Sequence, residues 1–165
     1  MRKLMSPHGD YDHIGYSKTL VNNFNVKNVV FNCGTYNDLE HELIKVLEKK
    51  KIKYYSCIKE LKIENNKLYF LQTKEYDNEN DNSNVIYTEL EGYKFMFMGD
   101  ASMTTEKEIM NKYSLPDIDV LKVGHHGSKT SSSKEFLGEI NPKYSIISVG
   151  KDNKYGHPNK EVFRW

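Results

Sequence analysis

The chain has 165 residues, 38% of them hydrophobic and 28% charged, which suffices for one buried core and reads as a single domain over residues 1–165. Its 24 Lys and Arg against 23 Asp and Glu leave a formal charge of +1, so attraction to a polyanion has to come from local patterning rather than from global charge. No apolar run approaches the roughly 20 residues that cross a bilayer, and the opening Met-Arg-Lys-Leu-Met turns polar too early for a signal peptide. A soluble, cytoplasmic chain with no membrane segment is expected. Cys33 and Cys57 lack metal-type spacing and are expected as two buried thiols rather than a bridge.

Taken in order, the patterning predicts an α/β domain. Val26 to Asn32 reads as a strand. Asn37 to Lys50 reads as a helix, with Leu39, Leu43, Val46 and Leu47 at helical spacing and Glu and Lys on the other face. Two hairpins follow: Leu61 to Ile63 with Leu68 to Leu71, then Val85 to Leu90 with Phe95 to Met98 across a turn at Gly92. Between them the acidic, Asn-rich stretch Tyr76 to Asn84 reads as a loop over a site. A βαβ passage closes the chain: Ile118 to Val123, a helix around Ser133 to Ile140, and Tyr144 to Val149.

Five of the six histidines fall in short polar segments at predicted strand ends or in loops. Ser6-Pro7-His8-Gly9-Asp10-Tyr11-Asp12-His13-Ile14-Gly15 packs two imidazoles and two carboxylates into six positions, a density that is costly without a cation. His8 and Asp10 could serve one ion, Asp12 and His13 a second; a solvated turn with Asp10 or Asp12 as a helix N-cap is the plainer alternative. Phe95-Met96-Phe97-Met98-Gly99-Asp100 lifts a carboxylate off a strand end, where it could bridge two cations or merely cap the next helix. Gly124-His125-His126-Gly127-Ser128 presents adjacent imidazoles that diverge, so one can bind metal while its neighbour meets substrate. Tyr155-Gly156-His157-Pro158 puts a further imidazole ahead of a helix beginning at Pro158. His41 lies mid-helix and reads as solvent-facing.

These segments, together with Ile147-Ser148-Val149-Gly150 and in this order, resemble the metallo-β-lactamase fold, most closely the metallo-β-lactamase-like domain of the ComEC competence family, which acts in DNA uptake. The similarity runs from Ser6 to about Val162. It implies a four-layer αββα sandwich of two mixed sheets with helices outside, incomplete at the amino terminus, because the family's strand-rich stretch before the metal loop has no counterpart here. The open sheet edge is then expected to meet a second copy or a partner. The resemblance also implies one or two divalent ions, zinc or manganese, held by His8, Asp10, Asp12, His13, Asp100 and His126. Asp12, His125 and His157 take catalytic roles. Asp10 replaces the superfamily's second histidine with a harder oxygen ligand, which admits manganese beside zinc. No histidine lies between His41 and His125, so the middle metal histidine is absent and the first ion is held loosely or completed by Asn82, Ser83 or water.

The expected activity is metal-assisted hydrolysis of a phosphodiester, with DNA or another nucleic acid as substrate. Lys122, Lys129, Lys134, Lys143, Lys151, Lys154, Lys160 and Arg164 outnumber the acids of the last third. Ser128, Lys129, Lys151 and Lys154 are the candidate substrate contacts, acting on the phosphate backbone. Two other readings stay open: a catalytically incomplete nucleic-acid-binding or interaction module, and a hydrolase of a small ester, thioester or lactone.

Overall fold

The computed structural model describes residues 2–71 and 74–163; Arg164 of the basic set lies outside them. The chain forms β1 (Arg2–Met5), α1 (Tyr11–Ile14), α2 (Ser17–Asn23), β2 (Val26–Phe31), α3 (Asp38–Lys49) and β3 (Lys53–Ser56). There follow β4 (Glu60–Ile63), β5 (Asn66–Phe70), β6 (Ile86–Leu90), β7 (Tyr93–Phe97), α4 (Met103–Lys112), β8 (Val120–Lys122), α5 (Lys134–Ile140) and β9 (Tyr144–Ile146). The two expected hairpins are present, and α3 begins at a capping box in which Asn37 and Glu40 exchange side-chain-to-backbone bonds. The first strand, β3 and the short helices α1 and α2 were not expected. Pro158 does not open a helix; the closing 3₁₀ turn spans Lys160–Phe163.

The strands make a three-stranded parallel sheet, β1-β2-β3, and a six-stranded sheet, β4 to β9 in sequential order. The second sheet is antiparallel through β7 and parallel from β7 to β9. Alternate residues of each strand serve opposite layers. Val29 and Phe31 of β2 pack with Leu43 and Leu47 of α3, whereas Val30 turns to the other sheet and meets Phe70 and Ile86. Met96 and Leu121 point the opposite way from Ile86 and pack with Ile109 of α4 and Phe136 of α5. The result is the expected four-layer sandwich: helices α1 to α3, the small sheet, the large sheet, then α4 and α5.

The inner face of the large sheet is covered unevenly. Register places Ile86, Phe97, Lys122 and Ile146 on one face. Ile86 is buried, yet Phe97 is 43% and Ile146 54% exposed, because the small sheet reaches only the β4 to β6 side. The short first sheet predicts exposed apolar surface behind Val26 to Asn32, but Val29, Val30 and Phe31 are fully buried there and the exposed apolar side chains lie instead over β7 to β9.

Cys33 and Cys57 depart from expectation, being joined as a disulfide with Cα atoms 4.5 Å apart. Cys33 is half-buried and Cys57 exposed. The reason is topological: β2 and β3 pair in parallel with Phe31 opposite Ser56, so the residues just past both strand ends emerge side by side. β3 is four residues long and has no periodic signal in the sequence, so nothing local announces that proximity.

Candidate metal centre

Three strand ends converge. The chain leaves β1 through Ser6, whose hydroxyl donates to the His8 carbonyl. Asn84 fastens this loop by donating from its backbone to Pro7 and from its side chain to Ser6. Asp10 occupies the N-cap position of α1 but makes no capping bond, so the plainer role does not account for its carboxylate. Nor is Asp100 a cap: Ser102 caps α4 by accepting from Thr104. Gly99 turns the chain with φ +56, and a Cβ there would meet the Ser83 Cβ at 2.8 Å. Asp100 emerges buried, its amide donating to the Ser83 hydroxyl.

Four imidazoles ring the Asp100 carboxylate. Its Oδ1 lies 3.0 Å from His13 Nε2 and 3.7 Å from His126 Nε2, and its Oδ2 lies 3.5 Å from His8 Nε2 and 3.8 Å from His125 Nε2. Asp12 Oδ2 closes one side, 3.2 Å from His126 Nε2. Ligand atoms of Asp12, His13, Asp100 and His126 all fall within 4.8 Å of one another. Asp10 sits differently from the rest, with Oδ2 3.6 Å from His8 Nδ1, on the nitrogen that does not face Asp100.

Burial opposes ionisation of Asp100, but the hydrogen bond from His13 and the adjacent His8 imidazole win and hold its pKa far below the usual carboxylate range. Burial likewise opposes a charge on His8, yet Asp100, Asp10 and Glu79 together push its pKa up. His125 goes the other way: burial pushes it down, and Asp100 offsets this only in part. Among the described residues the Nε2 atoms of His8 and His126 are buried without a well-aligned hydrogen-bond partner, although Asp100 Oδ2 lies 3.5 Å from the first and Asp12 Oδ2 3.2 Å from the second. His126 Nδ1 donates to the Ser148 carbonyl at 2.8 Å, which leaves Nε2 as the lone-pair nitrogen aimed at the carboxylates. Unbonded imidazole nitrogens beside the buried Asp100 carboxylate and the exposed Asp12 carboxylate are a donor set that fits a divalent cation.

His125 and His126 both have left-handed backbones, with φ of 46° and 52°. Histidine tolerates that region better than most residues, though two in succession are strained. The strain is held from outside. Pro158 packs against Gly127, whose φ is +80, and Asn159 donates its backbone N–H to the Gly127 carbonyl. His157 follows from that docking, its ring centroid 5.7 Å from that of His125 and its Nδ1 buried without a partner among the described residues.

Of the expected substrate contacts, Ser128 is buried with its hydroxyl 2.9 Å from that of Thr130. Lys129 lines a cleft of about 680 Å³ with Asp100, His125, Thr130, Asn78 and Asp81. The acidic loop thus does border the site. Lys151 is exposed on the turn after β9, and Lys154 sits over the Tyr155 ring. Lys143 is taken up by Asp119. Asn82 is committed to the Tyr76 backbone and Ser83 to the Asp100 amide, so neither side chain is free for an ion. Glu79 was missed: its Oε1 accepts from the Gly9 amide at 2.9 Å and from Asn32 Nδ2 at 3.1 Å, bracing the loop between His8 and Asp10.

The family model described as Metallo-beta-lactamase superfamily matches residues 8–151. ComE operon protein 3 of Bacillus subtilis is 33% identical over 98% of this chain and 21% of its own length. Competence protein ComA of Neisseria gonorrhoeae is 38% identical over 56% of this chain and 14% of its own length, and Recombination protein 2 of Haemophilus influenzae is 38% identical over 51% and 10%. The resemblance to the ComEC competence family is thus met by relatives of which this chain spans at most about a fifth. Among solved structures, the metallo-beta-lactamase fold protein YhfI from Bacillus subtilis aligns with TM-score 0.51 at 11% identity, over 90% of this chain and 67% of that one. At that identity the likeness speaks to the fold alone.

Proposed function

Since the chain belongs to the metallo-beta-lactamase superfamily, we propose that it is a metal-dependent hydrolase and that its substrate is a phosphodiester of DNA or another nucleic acid. The observation that carries the hydrolase reading is the buried Asp100 carboxylate ringed by four imidazoles, two with unbonded Nε2 atoms. Asp12, His13, Asp100 and His126 would hold one divalent ion, zinc or manganese, and His8 with Asp100 the edge of a second position. Such an ion, when bound, supplies a polarising charge for water and for the phosphoryl oxygen. His126, its tautomer fixed by Ser148, keeps Nε2 available. His125, kept neutral by burial, accepts a proton at Nε2 from the attacking water, and His157, whose ring centroid lies 5.7 Å from that of His125, would pass a proton to the leaving oxygen. Lys129 and Thr130 face the cleft where a phosphate oxygen would rest.

The substrate reading draws on Lys129, Lys151 and Lys154 near the histidine loops and on relatives whose names tie them to competence and recombination. The test is hydrolysis of a single-stranded oligonucleotide and of a thioester, with added Mn²⁺ or Zn²⁺. Cleavage of the oligonucleotide, with binding that weakens steeply as salt rises, is expected. Cleavage of the thioester alone overturns the phosphodiester reading. Salt-dependent DNA binding without hydrolysis of either substrate would make the chain a binding module.

A further inference from the structure

Three rings step outward from the metal centre. The His125 and His157 rings meet edge to face at 69° with centroids 5.7 Å apart, and Tyr155 lies nearly parallel to His157, at 21° and 5.8 Å. Tyr155 is 66% exposed. From this geometry we propose that Tyr155, backed by His157, is a stacking subsite for a nucleobase next to the scissile phosphate, and hence that the site takes an unpaired strand. The proposal rests on the phosphodiesterase reading and specifies its substrate.

A lone exposed tyrosine would mean little; this one is held. Asn153 accepts from the His157 amide at 2.9 Å and donates to the His157 and Gly150 carbonyls at 2.7 and 2.9 Å. Asn159 accepts from the Lys129 amide at 2.8 Å, and Pro158 rests on Gly127. The loop carrying Tyr155 is thereby fixed to the turn that carries His125 and His126. A platform already in place adds stacking energy with little ordering cost. Lys154 Nζ lies 5.1 Å over the Tyr155 ring, on a stem long enough for a base to displace it while the ammonium moves to the adjoining phosphate. A base inside a duplex is stacked on both sides and cannot offer its face to Tyr155, whereas an unpaired base can.

Equilibrium binding by fluorescence anisotropy tests this with the full chain and three labelled probes of equal length: a single strand, an abasic strand and a duplex. Wild type is expected to prefer the single strand. Tyr155→Ala should weaken single-strand binding about 5- to 30-fold and leave the abasic strand unchanged, while Tyr155→Phe, which keeps the ring, should stay within about twofold of wild type. Unchanged single-strand affinity in Tyr155→Ala, or an equal loss on the abasic probe, overturns the subsite and leaves the phosphodiesterase reading standing. Wild type that binds none of the probes and cleaves no oligonucleotide brings down both.

Discussion

Asp12 is the exposed member of the cluster, its side chain 58% accessible while that of Asp100 is 4%, so its removal tests ligation with little disturbance of packing. Asp12→Ala should lower metal affinity at least about 10-fold, since even partners that only orient ligands are worth that much, and should lower the melting temperature of the metal-loaded protein by the same linkage. Elemental analysis after dialysis reads the first and calorimetry the second. Unchanged values of both would remove Asp12 from the ligand set. The contrast between Asp100 and Glu79 shows what a sequence exposes at this scale. Asp100 follows an apolar strand and a glycine, a local pattern that signals a lifted carboxylate. Glu79 sits in a polar stretch with no periodicity, and its reach to the Gly9 amide crosses 70 positions, a distance only the fold closes.

Glu106 of α4 is fully buried, and its carboxylate accepts from the Ser133 amide at 2.9 Å and from that of Ser132, tying α4 to the start of α5. Burial pushes its pKa above the ordinary 4.5, and the two amide bonds offset this only in part. A raised carboxyl stabilises the fold fully below pH 4.5, and that contribution is lost as pH rises through the raised value. Wild type should therefore melt progressively lower across that window, and Glu106→Gln should flatten this slope, as a pair of melting series shows. In the layer beneath, Phe136→Ala removes a ring that is 1% exposed and should cost about 3–5 kcal/mol in denaturant unfolding. Elements with strong local signals, α3 and the two hairpins, were legible. β1 and β3 are four residues each and exist because β2 pairs with both, a tertiary cause that leaves no periodic trace.

At the scale of the molecule the disulfide closes a 24-residue separation across the small sheet. By loop-closure entropy its reduction should cost roughly 3 kcal/mol. Dithiothreitol should lower the melting temperature of wild type, and Cys33→Ser should melt at that lower temperature with or without reductant. The four layers and the order of the strand-end loops could be anticipated because family motifs carry them. The bridge could not, since it depends on which strands are neighbours. The half-covered face of the large sheet has its own consequence for how stability responds to temperature. Phe97, Tyr144 and Ile146 already meet water in the folded chain, so unfolding hydrates less new apolar surface than the chain's length suggests. The heat-capacity increment should then fall below the usual ~12–15 cal/mol/K per residue, flattening the stability curve, and any molecule that settles on β7 to β9 should show itself by restoring the curvature.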